Sequence, residues 1–338
     1  MKLKLGALLV MIFISCRPST AIERIHSCFP GSFKDICILG HVFYNRSNDI
    51  RHVFPQNYSI IRVGNDGWAK GIDSVIGVFD GQLYAELGHP SAVEILDAEV
   101  ETLEIPRALR HANFADNRLK TFWIEHGDAE PSLSYLDLGQ NSISSLINIS
   151  AFINLETIYL YNNRIEALEL NVFKNFAKLK MLNLNYNQVT ALSGDYFPPS
   201  LTYLGLYYND MKTLNYSALQ LPSLETLNIE RNYLSTLDVA RLLLGLPKLR
   251  MLRLGHNQLS HETVLSALEL LRQHNVSFRD ESEEVSCYFD SEEIEGVCME
   301  RQPIGSGWPK AVVLSILTIL VATLFVLVVR WVFIAMNK

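Results

Sequence analysis

Residues 179–211 read LKMLNLNYNQVTALSGDYFPPSLTYLGLYYNDM and contain one pattern twice. The pattern is L-x-x-L-x-L-x-x-N-x-L, in which Ile, Val, Met, Ala or Phe can replace an apolar residue, and its two copies start at Leu179 and Leu201. Side chains along a strand alternate between two faces, so the L-x-L centre of each copy predicts a short strand whose leucines point inward.

The pattern occurs seven times, and successive copies start 24, 22, 24, 22, 23 and 25 residues apart. Such a period is typical of a solenoid, in which each unit buries its apolar side only against its neighbours. The sequence therefore predicts an α/β solenoid, a leucine-rich repeat horseshoe whose strands form one parallel concave sheet. The copies start at Leu109, Leu133, Leu155, Leu179, Leu201, Leu224 and Leu249.

Each copy has asparagine at its ninth position, where the chain leaves the strand. A side-chain amide there can bond turn backbone groups that would otherwise be buried without partners. We therefore expect these asparagines to be structural rather than functional. They are Asn117, Asn141, Asn163, Asn187, Asn209, Asn232 and Asn257.

Tyrosine is concentrated at the third, fifth, seventh and eighth positions, which we expect to face the concave sheet. Seven of the chain's 14 tyrosines occupy these positions, and adjacent strands bring them about 4.8 Å apart. A large ring with a polar tip suits recognition of a protein or glycan, although tyrosine also favours strands for its own sake. The predicted ligand-binding residues are Tyr135, Tyr159, Tyr161, Tyr186, Tyr203, Tyr207, Tyr208, Arg231, Arg253 and His256.

No arrangement of residues indicates catalysis. The nine histidines are scattered, and no G-x-S-x-G, H-E-x-x-H or phosphate-binding loop occurs. His256 lies on the predicted binding face, where a merely solvated histidine is the alternative interpretation. The sequence predicts a protein that is not an enzyme and that uses no cofactor or metal ion.

The N-terminal apolar segment predicts a secretory signal peptide. Residues 1–21 combine two lysines, about ten apolar residues and a small-residue cleavage site. The remaining chain has 26 basic and 36 acidic residues, a net charge of about −10, which argues against nucleic acid as a partner. Five Asn-X-Ser sequences follow the signal peptide and predict N-glycosylation at Asn45, Asn57, Asn148, Asn215 and Asn275.

The C-terminal apolar segment predicts a transmembrane helix. Residues 311–329 carry no charge and reach about 28 Å as a helix, enough to span a bilayer. Trp308 and Trp331 bracket the segment as interfacial aromatic residues do. The alternative is a removable tail for a glycolipid anchor attached near residues 305–307. Because the expected cytoplasmic tail is only a few residues long, any signal would pass through a co-receptor.

Removal of the signal peptide leaves four cysteines in two closely spaced pairs. In an oxidising compartment this spacing favours the disulfides Cys28–Cys37 and Cys287–Cys298, with two other connectivities remaining possible. Separations of nine and eleven residues do not fit zinc ligands.

The regions outside the regular repeats have irregular patterns. We expect them to cap the ends of the solenoid, because an exposed end unit would leave apolar surface and a strand edge open to water. The expected organisation is a signal peptide at 1–21, an N-terminal cap at 22–58, degenerate repeats at 59–108, seven regular repeats at 109–259, a C-terminal cap at 260–300, a juxtamembrane hinge at 301–310, a transmembrane helix at 311–334 and a cytoplasmic tail at 335–338.

Residues 92–98 (AVEILDA) and 105–119 (IPRALRHANFADNRL) are similar to the irregular early repeats of insect, particularly mosquito, leucine-rich repeat immune proteins. The resemblance covers the signal peptide and residues 93–259. It implies extracellular recognition or scaffolding in innate defence, often with complement-like partners. The chain departs from the secreted members in having no C-terminal coiled coil and no cysteine left for cross-linking, and it looks more like a membrane-anchored branch.

We therefore expect a single-pass protein of the plasma membrane with an extracellular ectodomain. Its concave face would bind a protein or glycan ligand in innate immunity. A developmental adhesion protein, a co-receptor or a structural scaffold would have the same architecture.

Overall fold

The structure is a computed structural model that describes residues 22–29, 33–45, 50–64, 74–169, 171–192, 197–217, 219–279, 287, 291–300 and 323. The chain divides into two compact units, Met1–Ser144 with Ala151–Leu155 and Ser145–Ser150 with Glu156–Lys338. Within the described residues, no helix has the length and apolar character needed to cross a membrane. The predicted signal peptide, hinge, transmembrane helix and tail lie outside these residues, apart from Thr323, which is helical.

The first unit consists mostly of short strands. Its helix α1 (Gly81–Glu86) begins where the Asp80 carboxylate accepts hydrogen bonds from the backbone N–H groups of Gln82 and Leu83, both at 3.0 Å. The strands are β1 (Ile22–Ile25), β2 (Ile36–Leu39), β3 (Phe43–Tyr44), β4 (Ile50–Val53), β5 (Ile60–Gly64), β6 (Val75–Ile76), β7 (Val78–Phe79), β8 (Ala92–Leu96), β9 (Thr102–Ile105), β10 (His111–Asn113), β11 (Phe122–Ile124) and β12 (Tyr135–Asp137).

Five strands of the first unit form a parallel sheet in the order β12-β10-β8-β5-β2. Three smaller sheets pair β1 with β4, β3 with β6, and β9 with both β7 and β11. Strand β2 lies within the predicted N-terminal cap, so that segment contributes a strand to the repeat sheet. Its disulfide Cys28–Cys37 has the predicted pairing, with 5.1 Å between the Cα atoms.

The second unit repeats one strand and one irregular return segment several times. Its elements are β13 (Thr157–Tyr159), β14 (Met181–Asn183), β15 (Tyr203–Gly205), β16 (Thr226–Asn228), α2 (Val239–Gly245), β17 (Met251–Arg253), α3 (His261–Gln273), β18 (Ser291–Ile294) and β19 (Val297–Glu300), while a 3-10 helix spans Ile147–Ala151.

Strands β13 to β17 form a parallel sheet in chain order. Their register places the fourth pattern position of every repeat in one row, for example Leu182 opposite Leu204 and Leu204 opposite Leu227. These leucines are fully buried, as are Phe173 and Phe176 between strands. Each buried apolar side chain stabilises the fold by roughly 1.5–3 kcal/mol, so the repeat spacing itself sets the core.

The seven asparagines at the ninth pattern position, which we call the asparagine ladder, have the predicted structural role. The Asn187 amide nitrogen donates to the carbonyls of Leu184 and Asn185 in its own turn, at 3.1 and 3.2 Å. It also donates to Leu160 of the preceding repeat at 2.9 Å, while its oxygen accepts from Ile165 N–H at 3.1 Å. One side chain therefore closes its own turn and fixes the neighbouring repeat.

The C-terminal end of the second unit combines a helix and a hairpin. Helix α3 agrees with the apolar spacing of its sequence, and it is capped by Ser260, whose hydroxyl accepts from Thr263 N–H at 3.1 Å. Strands β18 and β19 pair antiparallel. The predicted disulfide Cys287–Cys298 joins the hairpin to the segment before it, with 5.5 Å between the Cα atoms.

Candidate functional site

The residue before each ladder asparagine turns the chain off its strand in a left-handed backbone conformation. Its φ lies between 51° and 57° in all seven repeats. This conformation brings Cβ close to the carbonyl oxygen and costs about 1–2 kcal/mol for most residues, whereas Asn and Gly tolerate it. The seven residues, which we call the turn column, are Asp116, Gln140, Asn162, Tyr186, Tyr208, Arg231 and His256.

Two neighbouring members of the turn column carry exposed tyrosine rings. Tyr186 is 46% exposed and Tyr208 is 54% exposed. Their rings stack with centroids 5.2 Å apart and planes at 28°. The ring of Tyr207 meets Tyr186 edge-on at 5.0 Å. Burial, followed by a side-chain hydrogen bond with Tyr186, raises the pKa of Tyr207 to about 12. The three rings therefore form one cluster, in which the Tyr207 hydroxyl is neutral at physiological pH.

The stacked tyrosines line a cleft of about 450 Å³ in the second unit. Its walls come from the eighth, ninth and tenth pattern positions of successive repeats, so the cleft follows the ends of the strands rather than the sheet face. The lining residues are Asn162, Asn163, Tyr186, Asn187, Gln188, Tyr208, Asn209, Asp210, Arg231, Asn232, Tyr233 and His256.

Backbone amides along the cleft are already engaged. Tyr186 N–H donates to Tyr207 O at 2.7 Å, and Tyr208 N–H donates to Glu230 O at 3.0 Å. Arg231 N–H donates to Gly255 O at 2.9 Å. The side-chain amides of the ladder asparagines also donate to backbone carbonyls. A ligand in this cleft would therefore be recognised through side chains.

A glycine on the sheet face supports the cluster. A Cβ at Gly205 would lie 3.1 Å from the Tyr203 hydroxyl oxygen and 2.7 Å from Asn185 Oδ1. The same Asn185 oxygen accepts a hydrogen bond from Tyr207 N–H at 2.9 Å. Gly205 thus leaves room for Tyr203 and Asn185 to pack beneath the turn that carries Tyr207 and Tyr208.

The predicted binding residues divide between several locations. Tyr186, Tyr208, Arg231 and His256 line the cleft. Tyr203 and Tyr207 support it through the contacts above. The remaining predicted residues lie outside its lining, in half-buried positions: Tyr135, Tyr159, Tyr161 and Arg253. In the first unit, Tyr135 stacks on His111 with centroids 4.0 Å apart.

The predicted exposure of His256 is wrong. His256 is only 8% exposed, and its backbone N–H donates to Cys298 O of the C-terminal hairpin at 2.6 Å. A Cβ on the adjacent Gly255 would lie 3.0 Å from the same oxygen. The hairpin covers this end of the turn column, and that contact is too distant in sequence to read from the repeat pattern.

Three cleft residues at the tenth pattern position are not among the predicted binding residues. These are Gln188, Asp210 and Tyr233, the last of them 45% exposed. The strand pattern assigns no surface role to this position, because it follows the buried asparagine. A signal was present, however, since a large aromatic residue directly after the ladder asparagine has no place in the core.

The remaining sequence predictions concern N-glycosylation and metal binding. All five sequon asparagines are exposed, and their glycosylation remains a prediction. Among the residues that the structure describes, no three His, Cys, Asp or Glu side chains are grouped closely enough to hold a metal ion.

Comparison with known proteins agrees with the repeat architecture. Residues 153–211 and 199–259 match the family described as Leucine rich repeat. Over these residues the chain is similar to leucine-rich repeat proteins. Lumican of Homo sapiens is 33% identical over 144 residues, which cover 39% of this chain and 40% of lumican. Leucine-rich repeats and immunoglobulin-like domains protein 3 of Homo sapiens is 31% identical over 129 residues, 36% of this chain and 12% of that protein.

The chain thus spans less than half the length of these relatives. Among solved structures, the crystal structure of the TLR13-ssRNA13 complex aligns with a TM-score of 0.51 and 21% identity, covering 63% of this chain and 32% of that chain. The leucine-rich repeat domain of APL1B aligns with a TM-score of 0.49 and 17% identity, covering 77% and 72%. The first of these likenesses supports a leucine-rich repeat, solenoid-like fold with parallel sheets.

Proposed function

We propose that this chain is a cell-surface recognition protein whose second unit binds an extracellular protein or glycan ligand. The observation that carries the proposal is the placement of Tyr186 and Tyr208. Both hold half-exposed rings in a backbone conformation that Asn162 adopts at the same pattern position without comparable strain. Retaining a strained, exposed aromatic pair is typical of a surface that contacts a ligand.

Photo-crosslinking tests whether the cleft contacts a ligand. A photoreactive phenylalanine analogue would replace Tyr208 in the full chain, and in a parallel variant it would replace Gln140. Both residues are exposed members of the turn column, but Gln140 does not line the cleft. On irradiated cells we expect adducts at position 208 and few at position 140. Equal labelling at both positions, or none at either, would contradict the proposal.

We also propose that residues 311–334 anchor the chain in the plasma membrane and that a co-receptor transmits its signal. The apolar segment and its flanking tryptophans support this anchor. Antibody binding to intact cells should detect the second unit, and the protein should stay in the membrane after alkaline extraction. Release by a phospholipase that cleaves glycolipid anchors would instead support the lipid-anchored alternative.

An innate immune role is the favoured biological setting because of the resemblance carried by residues 92–98 and 105–119. Transcript abundance in blood cells is expected to rise several-fold after bacterial challenge. Constant expression confined to developing tissue would favour the adhesion or co-receptor alternative. A scaffold role would be favoured if the protein entered the same assemblies after the cleft tyrosines were removed.

A further inference from the structure

We propose that the cleft takes an uncharged oligosaccharide rather than a peptide. This inference rests on the proposed function, because it names the ligand of the same surface. The cleft follows five consecutive repeats, and strand spacing of about 4.8 Å gives it a length of about 19 Å between the first and last repeat. An elongated ligand lying across the repeats fits this shape.

The state of the backbone argues against an added peptide strand. Strand addition needs a row of unpaired N–H and C=O groups on the receptor. Here the turn-column amides of Tyr186, Tyr208 and Arg231 donate to the next repeat, and the ladder asparagines use the nearby carbonyls. The cleft therefore lacks the main-chain edge that extended peptides use.

The side chains that remain suit a sugar. A pyranose ring has apolar C–H faces and a rim of hydroxyls. The exposed rings of Tyr186, Tyr208 and Tyr233 can pack against the C–H faces, and their hydroxyls can hydrogen-bond with the sugar hydroxyls. The Asp210 carboxylate accepts hydrogen bonds from hydroxyls, and the Gln188 amide both donates and accepts them.

The charges of the cleft favour an uncharged ligand. Asp210 and Arg231 contribute one charge of each sign to the lining. The chain as a whole carries a net charge of −7, which repels sulfated or sialylated chains at long range. A polyanionic glycan would need a cluster of cations, and the lining contains one arginine, Arg231, and no lysine.

A printed array of neutral, sialylated and sulfated oligosaccharides tests the inference with the full chain in detergent micelles. We expect a subset of neutral oligosaccharides to bind, and Tyr208→Asn and Asp210→Asn each to lower their apparent affinity about tenfold. Tyr208→Asn keeps the fold because Asn162 already occupies the equivalent left-handed position. The matched control is Gln140→Asn, which changes the turn column outside the cleft and should leave binding unchanged.

The outcomes separate the inference from the proposed function. Neutral binding that both cleft variants leave intact would overturn the inference, as would binding restricted to charged glycans. If no glycan binds but a protein crosslinks at position 208, the ligand is a protein: the inference fails and the proposed function stands. If neither glycan binding nor crosslinking occurs, both fail.

Discussion

The asparagine ladder and the turn column occupy adjacent positions in every repeat, yet their sequences behave oppositely. The ladder holds the same residue seven times, whereas the turn column holds Asp, Gln, Asn, Arg, His and two tyrosines. Ladder side chains point into buried backbone, while most turn-column side chains point to the surface. The fold thus dictates the ladder side chain and, one residue earlier, dictates only the backbone conformation.

This difference shows that the turn-column side chain, unlike the ladder asparagine, can vary to serve a function. The left-handed turn is required because the chain must leave the strand at the same point in each repeat. Asn and Gly satisfy the turn with little strain, so a tyrosine there contributes something other than backbone geometry. Four substitutions, taken from the largest expected effect to the smallest, test this division.

Removing a ladder side chain should have the largest effect. Asn187→Ala leaves three carbonyls and one amide without their side-chain partner in a buried turn. Each unsatisfied buried group costs about 1–3 kcal/mol, and we expect the free energy of unfolding to fall by about 4 kcal/mol. Chemical denaturation of the full chain in micelles measures this change. A loss below about 1 kcal/mol would show that water replaces the amide and that the ladder does not fix the turn.

A buried carboxylate at the fifth position should have the next largest effect. Asp137 is 8% exposed, and its oxygen accepts from Gly139 N–H at 2.9 Å. Burial raises the pKa of Asp137 to about 6, although the hydrogen bond from Gly139 lowers that pKa in part. Asparagine accepts the same bond in other repeats. The Asn183 side-chain oxygen, for example, accepts from Asn185 N–H at 3.0 Å. Asp137→Asn should therefore stabilise the fold wherever Asp137 would be ionised.

The sign of this pH dependence follows from the raised pKa. The folded state holds the Asp137 proton more tightly than the unfolded state, so its contribution to stability is complete below pH 3.8 and lost as pH rises through about 6. At pH 8 the gain from Asp137→Asn should approach about 3 kcal/mol, and it should vanish near pH 4. Burial, assisted by His52 and Arg24, lowers the pKa of His26 to about 4, so the informative quantity is the difference between variant and wild type at each pH. A pH-independent difference would contradict this explanation.

The ladder and the strands could be predicted from sequence because local spacing controls them. Strand β14 lies at the third to fifth residues of the copy that starts at Leu179, and β15 occupies the same positions after Leu201. The position of the side chains in the cleft could not be predicted in the same way. Strand alternation ends at the left-handed residue, and the turn directs Tyr186 and Tyr208 along the strand ends together with Tyr233. His256 shows the second limit, because its cover comes from Cys298, 42 residues later.

A turn-column residue without an aromatic neighbour should show the strain directly. Gln140 has a φ of 54° and an exposed side chain. Gln140→Gly relieves the left-handed conformation, which is offset in part by the greater freedom of glycine in the unfolded chain. We expect a gain of about 1 kcal/mol in the free energy of unfolding. A loss of stability would mean that the left-handed conformation is not strained here, and it would remove the main support for a functional turn column.

The same change at Tyr208 should have the smallest effect, and its size shows why the tyrosine is there. Tyr208→Gly relieves equivalent strain, because φ is 55°, but it removes the ring stacked on Tyr186 at 5.2 Å. An aromatic pair contributes about 0.5–1.5 kcal/mol, so we expect the two effects to cancel to within about 0.5 kcal/mol. A loss above about 2 kcal/mol would mean that folding alone accounts for the tyrosines. A gain equal to that of Gln140→Gly would mean that the ring contributes nothing to folding, leaving contact with a ligand as the reason for its presence.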